Sequence, residues 1–135
     1  MTAINPHAVS IDVITTYLAR HSRPEEQHYT FAYTITVSNA GELPVQLLSR
    51  HWIITDANGD VEEVRGEGVV GEQPVIPPGS FFRYTSGATL PTPVGCMEGS
   101  YTMIRLDGED TDPDQLPAFD VPIPAFTLHT PMALN

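Results

Sequence analysis

The chain contains no lysine. Its six basic residues are all arginines, set against seventeen carboxylates, which gives a formal net charge of −11 over 135 residues. A surface that neutralises nucleic-acid phosphates needs a concentrated positive stripe, and six scattered arginines do not supply one. DNA, RNA and anionic membranes are therefore excluded as expected partners. Cysteine occurs once, at Cys96, so no intrachain disulfide can form, and a reducing, cytoplasmic setting is expected. The opening "MTAINPHAVS" has neither a basic n-region nor an apolar h-region, so no secretory signal is expected. Long apolar runs are missing, which excludes a membrane-spanning helix. Capped helical stripes of eleven or more residues are missing too.

What is present is alternation. In "HYTFAYTITVSN", Tyr29, Phe31, Tyr33, Ile35 and Val37 share one face while Thr30, Thr34 and Thr36 share the other. Period two with β-branched and aromatic residues is the pattern of a half-buried strand. Related runs cover 9–18, 45–56, 61–64, 80–87, 100–106 and 119–130, separated by turn signals at Asn39-Ala40-Gly41, Asp56 to Asp60, Pro77-Pro78-Gly79 and Asp107-Gly108. About seven strands in one domain, residues 1–135, predict an all-β, antiparallel immunoglobulin- or fibronectin-type-III-like sandwich. Trp52, mid-strand, is expected between the sheets. Tyr101-Thr102-Met103 after Gly99 resembles a tyrosine corner with methionine in place of cysteine.

One motif invites a functional reading. Gly66, Gly68 and Gly71 in "RGEGVVGEQPVIPP" spell G-x-G-x-x-G, a spacing used in dinucleotide-binding folds. Such a site needs a helix whose first N–H groups hold the phosphates. Pro74, Pro77 and Pro78 forbid that helix here, and Glu67 and Glu72 crowd the supposed pocket with charge of the wrong sign. The structural alternative is that the glycines allow positive φ or close backbone approach in a loop between sheets. A helix-free nest of N–H groups, with Arg65 beside Gly66, Gly68 and Gly71, keeps a pyrophosphate site open as the second reading.

Other chemistry is thin. No nucleophile signature accompanies the serines, and Cys96 reads as a small filler. The five histidines, His7, His21, His28, His51 and His129, show no i, i+2 or i, i+4 ligand spacing; only a shared site for His28 and His129 is left open. Asp110, Asp112 and Asp114 imitate the start of a calcium loop, but Gln115 and Val121 stand where glycine and a bidentate glutamate belong, which leaves them as weak metal candidates.

Residues 50–103 closely resemble the ApaG family. The matching blocks are the Trp52 strand, the Gly66–Gly71 loop, Pro78-Gly79, Tyr84-Thr85-Ser86-Gly87, Thr92-Pro93-x-Gly95 and Gly99-x-Tyr101-x-Met103, with "FDVPIPAFTL" fitting downstream. The resemblance implies a single fibronectin-type-III-like domain and no catalytic residues to carry over. It also implies links to cobalt tolerance and magnesium efflux, and, through related domains in F-box and polymerase-interacting proteins, a protein-binding role. The expectation is a non-enzymatic binding module without a cofactor, monomeric or dimeric, with a protein partner. The alternative is a nucleotide- or pyrophosphate-binding protein, with slow metal-dependent phosphohydrolase activity using Glu67 or Glu72 to reach a divalent cation.

Overall fold

The computed structural model describes residues 2–4, 8–106 and 116–132. Asp110, Asp112, Asp114 and His7 lie outside the described residues.

Strands make up almost all of the regular structure: β1 (Thr2–Ile4), β2 (Val9–Tyr17), β3 (Tyr29–Asn39), β4 (Val45–Asp56), β5 (Val61–Glu67), β6 (Val75–Ile76), β7 (Phe81–Leu90), β8 (Val94–Arg105) and β9 (Ala118–His129). One sheet runs β1-β2-β3-β7. The other runs β5-β4-β8-β9, with β6 also paired to β4. All pairings within the sheets are antiparallel. The predicted immunoglobulin- or fibronectin-type-III-like sandwich is the observed fold. Among the described residues no helix is long and apolar enough to cross a membrane.

The alternation in β3 does what period two requires: Phe31, Tyr33, Ile35, Val37 and Asn39 are all buried. Its threonines pair on the outer face, Thr30 with Thr89 at 3.1 Å and Thr34 with Thr85 at 2.8 Å between hydroxyl oxygens. Across the interlayer space stands Trp52, packed edge-on against Tyr33, Tyr101 and Phe126 with ring centroids 5.5, 6.4 and 5.9 Å away. Trp52 thus occupies its predicted place between the sheets, and Met103 is fully buried beside this core. The tyrosine-corner likeness does not extend to its hydrogen bond. Tyr101 reaches across the sandwich, and its hydroxyl pairs with that of Tyr84 on β7.

Two irregularities re-aim side chains. A bulge between Leu47 and Ser49 flips the parity of β4. Val45 and Leu47 point inward before it, and Arg50, Trp52 and Ile54 face the interlayer space after it. In β9 the register shifts opposite Met97–Gly99, so Val121 and Ile123 give way to Phe126 and Leu128 as the inward residues.

Turns follow their chemistry. Asp56 Oδ1 accepts the N–H groups of Asn58 and Asp60, at 2.8 and 3.1 Å, and Gly59 takes the left-handed conformation that closes the β4–β5 hairpin. Buried Asn39 donates to the carbonyls of Leu43 and Ile76 and accepts from Gly41, so its amide is satisfied where β3 ends.

Candidate functional site in the interlayer cleft

The glycine motif lies at the end of β5 and in the excursion that follows. Gly66 is still in the strand, paired with Arg50, and a Cβ there would sit 2.8 Å from the Arg50 guanidinium. Gly68 has φ +64°, and a Cβ there would press into the Glu72 carbonyl. Gly71 has φ +81° and, with Val70 at φ 45°, forms the two-residue tip of a small hairpin. Val69 and Glu72 close that hairpin by exchanging N–H···O bonds of 2.8 and 2.9 Å. The Gly68 N–H donates to the Leu48 carbonyl at 2.7 Å, and the Leu47 N–H to the Pro74 carbonyl at 3.1 Å, so both ends of the excursion are tied to β4. No helix starts at Gly71; the chain continues extended into β6.

The amides of Gly68, Val69 and Glu72 are thus engaged within the protein, while those of Val70 and Gly71 make no hydrogen bond among the described residues. Arg65 does not join the loop. It stands on the exposed outer face of β5, with Nη2 3.7 Å from Glu63 Oε1, and the same carboxylate oxygen lies 2.7 Å from His51 Nε2.

The residue that does converge with the loop is Arg50. Its Nη1 donates to the Glu67 and Gly68 carbonyls at 3.0 and 2.9 Å. Among the described residues no carboxylate lies within ion-pair distance of it. Arg50 sits where two contiguous hollows meet, of about 380 and 310 Å³, both bounded by Tyr33, Trp52 and Ser86. They form one cleft between the facing edges of β5 and β7. Gly66, lacking a side chain, gives the guanidinium its room. Only the β4 bulge turns Arg50 inward, and nothing in the residue pattern marks that bulge, so sequence reasoning missed Arg50.

The cleft is backed by the Tyr84–Tyr101 hydroxyl pair. Burial raises both phenols well above their ordinary value, Tyr84's in spite of the partner hydroxyl and Arg50, and Tyr101's reinforced by Tyr84 and Tyr33. Cys96 lies in β8, its thiol pushed up by burial and then by Glu98, which disfavours the reactive thiolate. His28 precedes β3 in a bridge to Arg23, whereas His129 ends β9 in the other sheet, its Nδ1 3.1 Å from the Thr130 carbonyl. Among the described residues no three His, Cys, Asp or Glu side chains gather as metal ligands.

Comparison with known proteins places this architecture. Residues 19–105 match the family model described as the ApaG domain. The chain is 54% identical over 129 residues to Protein ApaG of Pseudomonas aeruginosa, covering 96% of each. It is 47% identical over 135 residues to Protein ApaG of Azoarcus, covering all of both. A crystal structure of an ApaA protein from Bordetella pertussis superposes with a TM-score of 0.84 at 44% identity, covering 96% of this chain and 99% of that one.

Proposed function

The chain belongs to the ApaG domain family, and from that premise we propose that it is a non-enzymatic binding module that works through protein–protein contacts. Its partner acts in divalent-cation homeostasis, the setting implied by the family's association with cobalt tolerance and magnesium efflux. The observation that carries this reading is the open flank of the sandwich. There β7 ends its sheet, and beside it lies a cleft holding an arginine with no carboxylate partner among the described residues. Exposed backbone donors and acceptors next to a shaped hollow are what strand-addition modules offer their partners.

The test is co-purification of tagged protein from its own cell after mild cross-linking, under magnesium-limited and cobalt-stressed growth. The expected result is one recurrent partner lost when the β7 flank is altered. Absence of any specific partner under every condition overturns the reading.

The second reading, a nucleotide or pyrophosphate site with slow metal-dependent phosphohydrolysis, draws on the two hairpin-tip amides that make no hydrogen bond among the described residues, Val70 and Gly71. Calorimetry with diadenosine polyphosphates, with and without magnesium, separates the two: saturable heat that disappears when the tip is replaced supports the second.

A further inference from the structure

We infer that the free edge of β7 accepts an extended segment of the partner protein, with an acidic side chain of that segment entering the cleft to meet Arg50. This rests on the binding-module reading and gives it a surface and a chemistry.

The four sheet edges differ in how they are guarded. β1 is three residues long. β9 carries Pro122 and Pro124, which lack N–H donors. β5 is lined with Glu62, Glu63, Arg65 and Glu67. Short strands, prolines and charges are the usual devices against unwanted pairing. The ten residues of β7 have no proline and a single charge. That charge, Arg83, is engaged on the outer face, where its Nε donates to Thr36 Oγ1 at 2.9 Å and its guanidinium lies 5.0 Å from the centre of the Phe81 ring. Among the described residues no strand pairs with the outer side of β7.

The fold also explains why that position is open. In constant-type immunoglobulin sandwiches a fourth strand, D, extends the A-B-E sheet beside strand E. Here β2, β3 and β7 take the places of A, B and E, and the segment between β5 and β7 runs as β6 along β4 instead of beside β7. A strand added at β7 would project alternate side chains toward the cleft. Ser86 and Tyr84 line the cleft from β7, and Arg50 waits opposite. Its Nη1 is occupied by two carbonyls, which fix the guanidinium but leave its charge without a carboxylate. A glutamate or aspartate supplies the missing partner. Glu62 and Glu67 also line these hollows, so an entering carboxylate must be held by direct contact with Arg50, which among the described residues has no carboxylate within ion-pair distance. Carboxylates beyond about 8 Å are screened at physiological ionic strength.

The experiment is a titration of ¹⁵N-labelled protein with the blocked pentapeptide Thr-Val-Glu-Val-Thr and its Gln-centred and Lys-centred counterparts. Saturable shifts are expected in the amides of residues 81–90 and in the Arg50 side chain. The Glu peptide should bind about tenfold or more tighter than the Lys peptide, as a charge-assisted hydrogen bond implies. Ser86→Glu places a carboxylate in the cleft within the chain itself and should abolish the preference for Glu over Gln without removing Arg50. Equal affinities for Glu and Lys, shifts mapping to β5, β9 or the loops, or no saturable binding by any peptide would each overturn docking at β7. A partner that still co-purifies after the β7 flank is altered marks a wrong edge, whereas no specific partner under any condition marks a wrong function.

Discussion

At the scale of single residues, strain and satisfaction are both visible. Val70 is a β-branched residue at φ 45°, a conformation that costs an ordinary side chain about 1–2 kcal/mol. It is exposed and packs little, so the strain is not offset by burial. Asparagine tolerates this region and suits the first position of a two-residue hairpin ahead of Gly71. Val70→Asn should therefore stabilise the protein by about 1 kcal/mol, read as a rise of about 3–5 °C in the thermal midpoint. The Tyr84–Tyr101 pair is the opposite case, two buried hydroxyls each satisfied by the other. Either single change to phenylalanine strands one hydroxyl and should cost about 1–3 kcal/mol. The double change removes both polar groups and should cost clearly less than the sum of the singles. A double-mutant cycle by urea denaturation checks this, and strict additivity would refute the coupling.

At the scale of elements, the three motif glycines make separable predictions. Gly68→Ala meets both a left-handed backbone and the Glu72 carbonyl, so it should be the most damaging, at about 2–3 kcal/mol or more. Gly71→Ala meets open space and should cost only the conformational term of about 1–2 kcal/mol. Gly66→Ala displaces the Arg50 guanidinium and should cost about 0.5–1.5 kcal/mol through weakened bonds to the Glu67 and Gly68 carbonyls. Comparing the three denaturation midpoints tests that ranking. All seven runs of alternation correspond to strands, because a half-buried strand writes its two faces into the residue order. β6 escaped notice because two residues are too few to show a period. The start of β8 escaped because Gly95 and Gly99 interrupt its apolar pattern. Gly99 is required there by the close approach of the His51 carbonyl, a long-range contact that no local window contains. Arg50 was hidden for a related reason. A bulge is a property of pairing between strands, so the inward turn of Arg50 just past the shift between Leu47 and Ser49 cannot be read from β4 alone.

At the scale of the whole molecule, the two layers are joined by packing around Trp52 and by polar links that include the Tyr84–Tyr101 pair, with Tyr84 in one sheet and Tyr101 in the other. That link makes the assembly sensitive to alkali. Both phenols have folded-state values raised above the ordinary 10. Below pH 10 they are protonated whether the chain is folded or unfolded, and their contribution to stability is fully present. Above pH 10 the unfolded chain releases protons that the folded chain retains, so stability falls as pH rises. Each phenol contributes a limiting slope of about 1.4 kcal/mol per pH unit. Urea midpoints should therefore be flat from about pH 8 to 9.5 and then drop steeply. The Tyr84→Phe, Tyr101→Phe double variant keeps the same carboxylates and the same self-repulsion but lacks this hydroxyl pair, so its alkaline limb should be markedly shallower. Parallel curves for the two proteins above pH 10 would show that alkali opens the sandwich somewhere other than at this pair.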